Sequence, residues 1–307
     1  MAIVELLRKH AASRLLKWTR RFFIPAALVF LAYSAWVTRD SLLPTLATTS
    51  IPHLLLACLL WCLAQWVGPL GTLAMARILG IPLGYRELSL VSVLRLPAKY
   101  LPGGIWQSVA RFAAYRKMEI RNSDSMTILI AEHVFALGVS IALGSSLLLV
   151  FTPAPTVTLL AVGLLVVGLV LLLCSAVWLL RKRISQARTL RWVFGLAFST
   201  ALFWVLASAS FCIYWVGVFG FSGTDIPLLA SSYLLSWAVG FIAIFAPQGL
   251  GIFEWVAAHL VPSTQPLSVV VTAVAGFRLV AIAGDLTAWI IGLGVSRCSA
   301  GRAPHRP

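Results

Sequence analysis

Apolar residues lie in long runs, broken by short polar or basic stretches. The runs are Phe22–Val37, Ile51–Leu79, Met126–Phe151, Val157–Leu180, Trp192–Phe219, Ile226–Ala246 and Pro266–Val295. Most approach or exceed the ~20 residues an α-helix needs to cross about 30 Å of hydrocarbon. A bilayer offers no water to satisfy loose backbone groups, so such runs predict helices rather than open sheet. The pattern predicts an all-α, polytopic membrane bundle of about seven or eight helices, two of them broken or re-entrant. The Phe22–Val37 run resembles a signal-peptide core, but it has no clean small-residue cleavage site and further spans follow, so it reads as a first span.

Two stretches break the pattern. Arg86–Lys117 is too charged for a simple span and is interrupted at Pro102-Gly103-Gly104. Two helical limbs of about 15 residues would each reach only about 22 Å, so a re-entrant hairpin or a surface hairpin is expected. Gln248–Val261 is also too short to span and follows Pro247. Its Pro-Gln-Gly-Leu-Gly, like Pro-Gly-Gly earlier, precedes an apolar helix start, expected near Leu250 and Ile105 respectively. A helix beginning at depth points unpaired N–H groups and a positive dipole end into its surroundings, which suits phosphate. Transporters use paired interruptions of this kind, and a two-fold internal repeat is one reading of the spacing. Gly68-Pro69-Leu70-Gly71 in the second run should kink it or admit a close neighbour.

Composition agrees with the pattern. Of 307 residues, 60% are apolar and 11% charged, against about 25% charged in soluble domains. The net charge of +15 would suit nucleic acid, but its placement argues otherwise. Twenty-two of the 24 basic residues fall in residues 1–21, 77–121, 181–191 and the segment after 296. That is the positive-inside pattern, so nucleic acid is not expected as a partner. Residues 1–21 form a basic amphipathic segment, 22–296 a single integral membrane domain and 297–307 a basic tail, with both termini expected in the cytoplasm of a prokaryotic inner membrane. Trp18, Trp36, Trp192 and Trp215 fall near expected interfaces.

Ionisable residues at bilayer depth are costly and mark pathways or pairs. The deep acids are Glu132, Glu254 and Asp285, with His133 and His259. The bases are Arg95, Lys99, Arg111 and Arg278. Arg278 and Asp285 are seven residues apart and share a helix face, so Arg278 pairs with Asp285 or with Glu254. Candidate headgroup-binding residues are Arg95, Lys99, Tyr100, Gly103, Gly104, Trp106, Arg111, Gly249, Gly251 and Arg278, with Glu132, His133, Glu254 and Asp285 as counter-charges or gates. Cys58 and Cys62 sit one turn apart without a further ligand, so no metal or cofactor is expected. Nucleotide-loop, zinc-protease and nucleophile-elbow motifs are not found, and Asp40 and Asp225 lack neighbouring carboxylates, which argues against catalysis.

Three stretches resemble the transmembrane domain of lysylphosphatidylglycerol synthases, a flippase-like membrane family. They are Lys99-Tyr100-Leu101-Pro102-Gly103-Gly104-Ile105-Trp106 through Arg111; Glu132; and Pro247-Gln248-Gly249-Leu250-Gly251-Ile252-Phe253-Glu254 with Arg278 and Asp285. Family members often carry Gly-Glu where this chain has Trp106-Gln107, and Arg where it has Phe253. The likeness implies a different headgroup from aminoacyl lipids, and an accompanying aminoacyltransferase domain is not expected. What it implies is a lipid translocase binding an anionic phospholipid or a polyisoprenyl-phosphate-linked glycolipid. The alternative is a membrane enzyme or accessory subunit of glycolipid or surface-polysaccharide synthesis, with glycosyltransferase partners. A scaffold without substrate is the third reading.

Overall fold

The computed structural model describes residues 36, 49–100, 105–152, 154–181, 186–220, 225–243 and 249–300. The amphipathic segment 1–21, nearly all of the Phe22–Val37 run, Gly103, Gly104 and Pro247 lie outside the described residues. Among the described residues there are nine α-helices, one 3-10 helix and no strand. In order they are α1 (Ile51–Ile78), α2 (Tyr85–Val93), the 3-10 helix (Leu96–Tyr100), α3 (Trp106–Lys117), α4 (Asn122–Phe151), α5 (Pro155–Arg181), α6 (Gln186–Phe219), α7 (Ile226–Ile242), α8 (Ile252–Leu260) and α9 (Leu267–Ala300). Five of them, α1, α4, α5, α6 and α9, are long and apolar enough to cross a membrane; α7 is apolar but shorter, at 17 residues.

Small and hydroxyl residues set the helix contacts. Apolar burial gives helices little reason to associate in lipid, so close backbone approach and side-chain hydrogen bonds matter more. Helix α1 lies along α6, runs unbroken through Pro69, and brings Gly71 against Leu196 and Ser199. Ser210 on α6 donates to the Ala57 carbonyl at 2.7 Å. Helix α4 packs between α5 and α7; Ser140 donates to Leu234 O and Ser231 to Gly144 O, both at 2.7 Å. Helix α5 leaves most of its Leu and Val side chains exposed, as its near-uniform apolar sequence predicts. Between α6, α7, α8 and α9 lies an aromatic core of Trp204, Phe211, Tyr214, Trp215, Tyr233, Phe253 and Phe277. Trp215 is therefore a core residue, not the interfacial anchor its sequence position suggested.

The charged stretch 86–117 is not a pair of continuous limbs. It is cut into α2, the 3-10 helix and α3, with the first cut at Leu94–Arg95. Arg95 closes α2 by donating to the Leu90 and Val91 carbonyls at 3.3 Å. A cation at a helix C-terminus offsets its negative dipole end. Asp225 is the N-cap of α7 and accepts from Leu228 N–H at 3.2 Å, a structural use for this acid. Helix α9 continues to Ala300, past the residue 296 boundary expected for the tail.

Candidate functional site

Helix α9 carries two charged residues, and each holds a different segment of the chain. Seven residues separate Arg278 from Asp285, about 10.5 Å along the axis. Asp285 is 1% exposed. Its carboxylate accepts from Trp61 Nε1 on α1 at 2.9 Å, and from Tyr100 OH and Lys99 Nζ on the 3-10 helix. Lys99 Nζ also sits 5.7 Å from the Trp61 ring and 5.3 Å from the Tyr100 ring. A buried carboxylate survives when several donors replace its water, and here three do.

Two turns away, Arg278 Nε donates to Glu254 Oε1 on α8. Glu254 is 0% exposed, and its other oxygen accepts from Gly251 N–H at 2.7 Å. One side chain thus caps α8 and pairs with α9. Of the two partners open to Arg278, Glu254 is the one it takes. The helix begins at Ile252 rather than Leu250, and the N–H of Gly251, expected to face phosphate, is occupied by Glu254. Phe253 places its ring 5.7 Å from the Arg278 guanidinium, giving that base an aromatic face. Tyr100 and Tyr233 each lie within electrostatic range of both Arg278 and Asp285, so the two pairs form one polar node.

A second group is built on other helices. Arg111 on α3 makes two bonds to Glu132 on α4, at 2.7 and 3.0 Å. It also reaches Thr72 Oγ1 on α1 at 3.1 Å and Tyr115 OH at 2.8 Å. Thr72 donates to Glu132 Oε1, the oxygen that Arg111 Nη2 also reaches, so the three groups close a small ring of bonds. Arg111 Nε is buried with no partner among the described residues. Arg95 lies within electrostatic range of Arg111 and Tyr115.

The other expected residues are placed as follows. His133 does not join Glu132: adjacent positions on a helix point to different faces, and His133 stacks on Phe241 of α7 at 5.6 Å, with Nδ1 2.6 Å from the Leu129 carbonyl. Trp106 opens α3 one residue after the expected start and is exposed. Gly249 has φ +65°, and a Cβ there would come within 2.8 Å of Gly240 Cα, so this bend requires glycine. Cys58 and Cys62 are free thiols, and no group of metal-ligating residues forms among the described residues.

Trp61, Thr72 and Tyr115 were not expected in the site. Thr72 and Trp61 are uncharged residues within an apolar run, where they read as packing. Tyr115 had a usable signal, because it stands four residues after Arg111 on a helix. Comparison with protein-family models and with curated proteins finds no match to this chain.

Proposed function

We propose that this chain is a flippase-like membrane lipid translocase that takes the headgroup of an anionic phospholipid or polyisoprenyl-phosphate-linked glycolipid into its polar interior. The resemblance to the transmembrane domain of lysylphosphatidylglycerol synthases belongs to this proposal. So does placement in a prokaryotic inner membrane with both termini cytoplasmic, which the clustered Lys and Arg favour.

The observation that carries the reading is an asymmetry within the α9 pairs. Glu254 and Asp285 are 0% and 1% exposed, while their partners Arg278 and Lys99 are 24% and 18% exposed. The acids stand behind and the bases in front. An incoming phosphate therefore meets cation first and has a counter-charge to exchange with. An enzyme using the same site would need an acid free to act on substrate, and the two acids of the α9 pairs are each held by two or three donors.

Reconstitution into proteoliposomes with a fluorescent phosphatidylglycerol tests the reading. The wild-type chain should expose inner-leaflet label to an external quencher. Because Arg278→Ala alone strands Glu254, the informative variant is Glu254→Gln with Arg278→Gln, which removes both charges. A folded double variant that moves lipid at the wild-type rate defeats the proposal.

A further inference from the structure

Lys99 sits in surroundings that would suit any primary ammonium. Its Nζ faces the Asp285 carboxylate, with the Trp61 ring 5.7 Å away and the Tyr100 ring 5.3 Å away. Aromatic faces around a cation are a recurring means of recognising ligand ammonium groups. The walls are held by contacts other than Lys99. Trp61 is fixed by its Nε1–H bond to Asp285 at 2.9 Å and by the edge of Phe277, with ring centres 5.5 Å apart. Gly284 lets α1 approach here, since a Cβ there would meet Trp61 at 2.9 Å. Tyr100 holds Asp285 through its hydroxyl. Tyr100 is exposed and Lys99 only partly buried, so this box has an open side.

The occupant is tethered but exchangeable. Lys carries a compact charge on a flexible stem, so Nζ can swing out while the backbone stays in place. What opposes the swing is Asp285, which is buried and would be left without a cation. A headgroup bearing phosphate alone offers Lys99 a new partner and offers Asp285 none. A headgroup bearing a phosphate and a primary ammonium serves both, and the balance of charge in the box is the same before and after. A quaternary ammonium has no N–H to give, so it would leave the buried carboxylate short of a donor.

We propose that Trp61, Tyr100 and Asp285 form an ammonium site, that Lys99 is its resident occupant, and that the primary ammonium of a headgroup displaces Lys99 onto the phosphate of the same headgroup. This rests on the translocation reading above and narrows it. Among anionic headgroups, the chain selects those that also carry a primary amine close to the phosphate. A serine phospholipid and a lipid-linked amino sugar share this chemistry.

The full-length protein in phosphatidylcholine nanodiscs tests this with two pairs of probes that differ in the amine. One pair is dihexanoyl phosphatidylserine and dihexanoyl phosphatidylglycerol, equal in net charge; the other is glucosamine 1-phosphate and glucose 1-phosphate. The wild-type chain should bind the amine-bearing member of at least one pair about tenfold tighter. A serine preference assigns the site to a phospholipid, and a glucosamine preference to a lipid-linked sugar. The preference should vanish in Asp285→Asn with Lys99→Met, which removes both charges together. Lys99→Met alone vacates the site, so ethylammonium chloride should raise the Tm of this variant well above the effect of equal tetramethylammonium chloride. No preference in either pair overturns the ligand class, and that arm needs no variant. A double variant that keeps the preference, or two salts that act alike on Lys99→Met, overturns the site. A preference lost in the double variant, in a protein that moves no lipid in proteoliposomes, leaves the ammonium site standing and removes translocation alone.

Discussion

At the α9 node two bases each meet an acid; at the Arg111 corner one base meets one acid, with the hydroxyls of Thr72 and Tyr115 beside it. The node ties chain segments together: Lys99 and Asp285 are 186 residues apart in sequence, and Glu254 joins α8 to α9. The corner ties α3 to α4 and α1, through Arg111, Glu132 and Thr72. Both contain Arg or Lys beside an acid, so a list of ionisable residues makes them look alike. What separates them is company: two charge pairs share α9 at the node, and a single pair stands among hydroxyls at the corner.

The largest effect should come from Glu254→Ala. It strands Arg278 and uncaps α8 together, and should cost about 3–5 kcal/mol in chemical unfolding of the detergent-solubilised protein. The double variant Glu254→Gln with Arg278→Gln should be much milder; equal losses would mean the pair is not coupled. Next is Asp285→Ala, which leaves Trp61, Tyr100 and Lys99 without their acceptor and should cost about 3 kcal/mol. Adding Lys99→Met should recover part of this, with a coupling of about 1 kcal/mol or more in a double-mutant cycle. Gly284→Ala should cost about 1–3 kcal/mol by overpacking. Its Cβ would lie 2.9 Å from the Cys58 carbonyl and from Trp61, the ring that serves Asp285, so the change in tryptophan fluorescence should accompany the loss. Arg95→Gln should be the smallest in stability, about 1 kcal/mol or less, since only two long hydrogen bonds are lost. A large unfolding shift there would show Arg95 to be a strut.

The helices were legible because hydropathy reports them directly. The runs beginning at Ile51, Met126 and Val157 match α1, α4 and α5 within a few residues. Every charged member of the two groups was also legible, since an ionisable residue stands out in an apolar run. Their pairing was not. Spacing puts Arg278 and Asp285 on one face and leaves their mutual pairing open, but tertiary contacts bring Glu254 and Lys99 nearer. Glu132 and His133 look like a unit in sequence and are divided by the helical turn. The neutral donors were hidden for another reason. Trp61 and Thr72 carry no charge, and an indole or hydroxyl in a membrane helix is expected simply to pack or to bond within its own helix, as Ser145 does with Ile141.

Helix α9 is one continuous stiff rod, and the two tethers leave it from positions about 10 Å apart. A roll of that rod about its own axis would carry Asp285 away from Lys99 and Arg278 away from Glu254 in a single motion. The chain near residue 100 and the chain near residue 250 are thereby geared to a common shaft, and neither can be let go without turning the other.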